Sequence, residues 1–427
     1  MRMRARRLLT LLACITGLSL PGASYSVLTH EQIIDLAWKD QIRPMLLQRF
    51  PQATPDDLRH AHAFAYGGSV MPDMGYYPFG KKYFSDLVHY VRSGDFVATL
   101  IEESSDLNEY AFALGALAHY SSDNMGHPTI NQVVAIEFPK LRAKYGDAVT
   151  YADDHKSHIR TEFGFDMVQV AKNRYTSDRF HDFIGFEIAT PLLERAFLKT
   201  YGLQLKDVLG NEGLAIGSFR RAISIVVPEM TRVALLNRRA DLVRDTPNFD
   251  QKKFLYHLSR ADYEKQWGKG YRKPGIGSRI LAFLLRIIPK VGPASALDFK
   301  VPSTQTEDMY IKSVNKTADD YSSRLHQVDA KDLDFPDMDC DTGKQTHAAE
   351  YPLADSTYSK LLLDLKKHDF STVTPELRAN ILSFYSDRAA FHGKRNHKGW
   401  KETQRALAEL KTSGNMPATG QLGSSGN

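Results

Sequence analysis

Apolar positions recur at helical spacing through most of the chain. HEQIIDLAW, residues 30–38, places Ile33, Ile34, Ala37 and Trp38 on one side and predicts a first amphipathic helix with Thr29 as its cap. TPDDLRHAHAFAYGG predicts a second helix, capped by Thr54, opened by Pro55 and closed by Gly67 and Gly68, with SVMPDMGYYPFG as a turn-rich loop behind it. The same period predicts helices in YFSDLVHYVRSG, DLNEYAFALGALAHYSSDNMGH, DDHKSHIRTEFGFDMVQVAK and DFIGFEIATPLLERAFLKTYG. It continues through GLAIGSFRRAISIVVPEMTRVALLNRR, interrupted by Pro228. No stretch alternates with period two, and no strand–helix unit repeats. The expected fold is all-α, a multi-helix bundle.

After about residue 245 the pattern changes. Residues 246–307 read as a linker containing IGSRILAFLLRIIPKVG, whose apolar face carries Arg279, Arg286 and Lys290. That composition fits a core helix with a basic rim, or a helix lying on an anionic lipid surface. Residues 308–410 return to helical periodicity and predict a helical C-terminal domain, and 411–427 predict a disordered tail. Within that C-terminal domain, DLDFPDMDCDTG lacks the ligand spacing of a calcium loop and reads as a polar loop.

Charge and cysteine change this picture in one respect. Arg2, Arg4, Arg6 and Arg7 precede the apolar run LLTLLACITGLSL and the small residues of PGAS, the three parts of an export signal over residues 1–24. Export to the periplasm or beyond is therefore expected. The formal charge of +5 owes four units to those arginines, so the mature chain is close to neutral and its charge gives no support to a nucleic-acid partner. Of the two cysteines, Cys14 lies in the signal, which leaves Cys340 without an intramolecular partner. A lipidated Cys14 is the competing reading of the same run.

The chemistry sits in the first half of the chain, where nine of the 15 histidines fall between His30 and His181. His119, Asp123 and His127 stand at i, i+4 and i+8; at about 100° per residue they share one helix face. His158 and Glu162 form a second i, i+4 pair. These are side chains zinc accepts, and an apolar helix such as ALGALAHY buries ionisable groups only when they are paired or metal-bound. His89 lies on another apolar-faced helix, and Asp73 follows Pro72 in the glycine-bounded loop. His60 and His62 point to different faces and stay outside the expected ligand set, and the aromatics Tyr76, Tyr77 and Phe79 offer either a substrate rim or loop packing.

Taken in order, Thr29-His30, GGSVMPD ending at Asp73, His89, LGALAHYSSD with His119 and Asp123, His127, and HIRTE with His158 and Glu162 resemble the zinc-dependent phospholipase C family. The superfamily includes P1/S1-type nucleases, and the short step from Asp123 to His127 is similar to the glycosylphosphatidylinositol-specific phospholipase D branch. The resemblance covers about residues 25–200 and implies three zinc ions. Asp73, His89, His119 and Asp123 would hold one, and His127, His158 and Glu162 a second. A third would sit on His30, the bridging Asp123, and the amine and carbonyl of a processed first residue, Tyr25. It further implies a phospholipid or other phosphodiester substrate, contact with a membrane surface, and hydrolysis by hydroxide that zinc makes available near neutral pH, with Asp73 orienting the attacking water. A secreted nuclease on the same scaffold and a non-catalytic metal-binding protein are the alternatives. A di-iron or di-manganese bundle would favour paired Glu and E-x-x-H motifs, which are missing here in any convincing array. Head group, the bond cleaved and oligomeric state are not readable from these residues.

Overall fold

A computed structural model describes residues 27–171, 186–223, 299–386 and 398–413. The fold is all-α, a multi-helix bundle with an additional helical C-terminal region. Its first half runs α1 (Val27–Ala37), a π-helical turn (Trp38–Ile42), α2 (Arg43–Arg49), α3 (Pro55–Val70), a 3-10 turn (Met71–Tyr76), α4 (Lys82–Tyr90), α5 (Ser93–Glu103), α6 (Leu107–Glu137), α7 (Pro139–Tyr145) and α8 (Tyr151–Ala171). After residue 185 come α9 (Thr190–Tyr201), α10 (Leu205–Leu209) and α11 (Glu212–Arg221). The C-terminal region holds α12 (Thr304–Asp329), α13 (Pro352–Lys367), α14 (Pro375–Phe384) and α15 (Lys398–Ser413). One antiparallel ladder, β1 (Met338–Asp339) against β2 (Lys344–Gln345), interrupts the helices, with Met338 opposite Gln345.

α6 is the axis of the molecule. Asp106 starts it by accepting hydrogen bonds from the amides of Asn108 and Glu109, and the helix continues through Pro128. Its widest contacts are with α3 and α12. α3 opens with a capping box between Thr54 and Asp57, but Gly67 and Gly68 do not close it: the helix runs on to Val70. The reason is packing. A Cβ on Gly68 would lie 1.9 Å from the Phe112 carbonyl oxygen, and one on Gly115 2.1 Å from that of Ala65. The glycines let two helix backbones touch, an advantage that outweighs their usual cost inside a helix.

Other local expectations shift for similar reasons. Thr29 lies inside α1 rather than capping it, because its hydroxyl donates to Asp166 (2.8 Å) and shares a hydrogen bond with Tyr310 (2.6 Å). Of the described part of DFIGFEIATPLLERAFLKTYG, residues 186–189 are not helical and the helix begins at Thr190, where Pro191 favours a start. YFSDLVHYVRSG divides at Arg92, whose φ of 51° places it in the left-handed region. The helix expected from about residue 308 begins at Thr304, capped by Ser303, and α15 extends to Ser413, into the stretch expected as a tail. The export signal, the segment 276–292, Pro228 and residues 414–427 lie outside the described residues.

One apolar core runs from Val27 to Leu410, joining α1 and α6 to Tyr310, Tyr321 and Leu325 of α12 and to Leu361 and Leu365 of α13. The Tyr321 hydroxyl donates to the Leu114 carbonyl (2.9 Å), which ties α12 to the middle of α6. No helix among the described residues is long and apolar enough to cross a membrane.

Candidate metal centre

Five segments carry the site. α6 supplies His119, Asp123 and His127 from one face, and α1 brings His30 against them: its ring stacks on His119 at 4.4 Å between centroids, and its Nε2 lies 3.7 Å from Asp123 Oδ1. The 3-10 turn delivers Asp73. That turn is pinned to α4 by Ser85, whose hydroxyl donates to the Pro72 carbonyl and accepts from the Gly75 amide. α4 carries His89 one turn further on. α8 contributes His158 and Glu162 after a break at Asp154, where φ is −155° and the side chain accepts from the Ser157 amide, restarting the helix. From the same helix Asp166 accepts from the Leu28 amide and the Thr29 hydroxyl, fixing α1 beside the site.

All eight of these expected ligands within the described residues are buried: His30, Asp73, His89, His119, Asp123, His127, His158 and Glu162. Tyr25, the ninth, lies outside the described residues. The ring orientations are set by main-chain acceptors. Nδ1–H of His89 donates to the Ser85 carbonyl (2.7 Å), Nδ1–H of His119 to Ser69 (2.8 Å), and Nε2–H of His158 to Val149 (2.6 Å). A neutral imidazole that donates from one nitrogen presents a lone pair at the other.

The arrangement that results is electrostatically unusual. His89 Nε2 and His119 Nε2 stand 3.2 Å apart, and Asp123 Oδ2 is 3.3 Å from the first and 3.1 Å from the second. Asp73 Oδ1 closes on His89 Nε2 at 3.6 Å. Two lone pairs and two carboxylates thus converge in a buried space, where only a cation satisfies all of them. Two overlapping groups here have the geometry to hold a metal ion, His30–His119–Asp123 and Asp73–His89–His119. The donor set, nitrogen and carboxylate oxygen, fits zinc.

Burial governs the protonation of these groups in the protein alone. Burial, followed by the neighbouring His119, holds the His30 imidazole well below its ordinary value. Burial pushes the Asp73 and Glu162 carboxyls well above the usual carboxylate range. For Asp123 burial acts in the same sense, but His119 and His89 overcome it and keep the carboxyl well below that range.

The second part of the site is more open. His158 Nδ1 lies 3.5 Å from Glu162 Oε1, and the His127 and His158 rings are 6.4 Å apart between centroids. His127 Nε2, His158 Nδ1 and Glu162 Oε1 are buried without a hydrogen-bond partner among the described residues. The missing wall comes from an unexpected place. Asp341, in the stretch expected as a polar loop, is buried with Oδ1 3.0 Å from His127 Nδ1. Its Oδ2 accepts from the hydroxyls of Tyr90 (2.9 Å) and Tyr351. Burial would raise the Asp341 carboxyl, yet His127 and Tyr351 hold it below the ordinary value. The acid-rich composition of DLDFPDMDCDTG was the only hint, and nothing in its spacing connects it to a histidine on α6.

Of the aromatics after Asp73, Tyr76 is buried beside His89 (5.9 Å between centroids) and Tyr77 packs edge-on against Phe219. Phe79 is 61% exposed, with a φ of 63°. His62 lies away from the cluster, stacked on Trp38 and 2.9 Å from Asp35 Oδ1.

Residues 29–211 match the family model described as zinc dependent phospholipase C. That stretch spans the eight described ligand candidates and stops well before Asp341. The match does not distinguish the glycosylphosphatidylinositol-specific phospholipase D branch from the rest of the family. Neither the curated proteins nor the solved structures yield a match.

Proposed function

We propose that the protein is an exported zinc-dependent phosphodiesterase that hydrolyses phospholipids in the manner of a phospholipase C, with three ions at one centre. The observation that carries this reading is the convergence of His89 Nε2, His119 Nε2 and Asp123 Oδ2 inside a family segment named for that activity. Asp73, His89, His119 and Asp123 would hold one ion, His127, His158 and Glu162 another, and His30 with Asp123 and the amine of Tyr25 a third. Bound zinc supplies Lewis acidity, which makes hydroxide available near neutral pH and offsets charge growing on the phosphoryl oxygens.

The chain's own groups do the rest. Asp123 offers its two oxygens to opposite sides, Oδ1 toward His30 and Oδ2 toward His89 and His119, the disposition a bridging carboxylate needs. Asp73, whose Oδ1 has no hydrogen-bond partner among the described residues, would accept a proton from the attacking water. The main-chain acceptors behind His89, His119 and His158 hold the rings in one tautomer, so the centre is organised before substrate arrives. The exposed Phe79 gives the adjoining loop an apolar tip suited to a lipid substrate.

The test is hydrolysis of phosphatidylcholine vesicles by the purified exported protein, with metal analysis and sequencing of its first residues. Release of phosphocholine, abolished by a chelator and restored by zinc, is expected. Hydrolysis of single-stranded DNA or RNA with no action on phospholipid would replace the lipid substrate by nucleic acid, and a zinc-free active protein would overturn the reading altogether.

A further inference from the structure

The contacts of the site histidines fall into two kinds. Those that orient a ring are aligned hydrogen bonds of 2.6–2.8 Å to a main-chain carbonyl. Those that face a shared centre are ring-nitrogen to carboxylate approaches of 3.1–3.7 Å, as between His119 and Asp123 or His30 and Asp123. The approach of Asp341 Oδ1 to His127 Nδ1, at 3.0 Å, belongs with the second kind: Nδ1 has no aligned hydrogen bond there.

Asp341 is also held as a ligand needs to be. Tyr90 and Tyr351 occupy Oδ2 and leave Oδ1 to face His127. Asn131 Nδ2 donates to the Asp341 carbonyl (2.9 Å), and the Cys340 amide donates to the His89 carbonyl (3.1 Å). Gly343, at φ 64°, seats the loop against α6 at a point where a Cβ would meet the Asn124 carbonyl oxygen at 2.4 Å and Pro128 Cγ at 2.6 Å. Pro128 has no N–H for the Asn124 carbonyl, so the helix is notched one residue beyond His127, and the loop packs on that notch. Around it, His127 Nδ1, His158 Nδ1 and Glu162 Oε1 are buried and without hydrogen-bond partners among the described residues.

We propose that Asp341 is a metal ligand, contributed by the C-terminal region to the ion of His127, His158 and Glu162. This assignment deepens the zinc phosphodiesterase reading and rests on it. With Asp341 that ion has four protein ligands, the number typical of closed structural zinc, whereas three protein ligands leave a position for water or substrate. The second ion then fastens the C-terminal region to the bundle, and the open coordination lies with the other ions.

The experiment measures zinc content and cobalt-substituted spectra of the full exported chain, wild type against Asp341→Asn and Asp341→Ala. Asp341→Asn keeps the shape if the alanine variant fails to fold. Asn131→Ala, which cuts a loop anchor and spares the carboxylate, is the control for a purely structural effect. The expected result is about three ions in the wild type and in Asn131→Ala. Both Asp341 variants should lack one ion at a chelator concentration that leaves the wild type full. Cobalt restored to that position should show bands altered in energy and intensity. Three ions in every variant, or a weakening of only about 10–100-fold with unchanged cobalt bands, would place Asp341 behind His127 rather than on the metal. That outcome overturns this assignment and spares the function. A wild type without bound metal overturns both.

Discussion

The two halves of the metal centre are built differently. The half around His89, His119 and Asp123 draws on α3, α4 and α6, with α3 and α6 in backbone contact at Gly68 and Gly115, and its donor atoms already converge. The half around His127, His158 and Glu162 relies on α8, which restarts at Asp154, and on a loop from the distant C-terminal region. Its donors stand further apart. Tight helix packing pre-forms the first half, whereas the second is completed by a segment that must dock.

The sharpest way to break this contrast is to remove the residue on which the first half turns. Asp123→Ala should cost about a thousandfold in kcat, since a Lewis acid contributes several kcal/mol, and zinc content should fall by more than one ion because the proposed assignment places Asp123 on two of them. Loss of a single ion would show that Asp123 does not bridge. Glu162→Gln should act on the second half alone, with about a hundredfold loss of activity and release of one ion; metal analysis that finds all ions retained would count against Glu162 as a ligand.

A smaller effect is expected where the loop docks. Gly343→Ala places a Cβ into the Asn124 carbonyl and strains a left-handed backbone, which should cost about 1–3 kcal/mol in chemical denaturation. The same variant should weaken one zinc position and leave the others at wild-type affinity. Uniform weakening of every ion would erase the distinction between the halves.

The effect that leaves the metal positions untouched is a slope in pH. Burial, reinforced by the charge of Asp341, pushes the Asp339 carboxyl up to about 8 from an ordinary 3.8. Between those values the folded protein binds a proton that the unfolded chain has released, so this group's stabilising contribution is full at acid pH and is lost as pH rises toward 8. Denaturation curves from pH 5 to pH 8 should therefore be flatter for Asp339→Asn than for the wild type. Equal slopes would mean that Asp339 is already ionised in the folded state.

The same contrast marks what could be read from the amino acids. His119, Asp123 and His127 were legible because one helix repeats them every four residues, and His158 with Glu162 for the same reason. The all-α architecture followed from period alone. Gly67 and Gly68 have the local signature of a helix end, but local rules describe an isolated helix, and here Gly68 answers to α6 and Gly67 to the backbone at Glu187. Thr29 has the chemistry of a cap, but Asp166 and Tyr310 claim its hydroxyl. Asp341 was out of reach: its meaning depends on Tyr90, Tyr351 and the notch at Pro128, and no periodicity links those positions.

The contacts that close the bundle span long stretches of chain: 281 residues separate Thr29 from Tyr310, 207 separate Leu114 from Tyr321, and 251 separate Tyr90 from Asp341. Such pairings form slowly, because loop closure must precede the contacts that reward it. A growing chain folds from its N-terminus first, so α6 is made and partly packed long before α12 exists to cover its other side. Assembly of the centre is thus a late event, completed only once Tyr351 has joined the fold behind Asp341. A chain released early, even with every residue from 29 to 211 in place, would carry the histidines without the wall that holds the last of them.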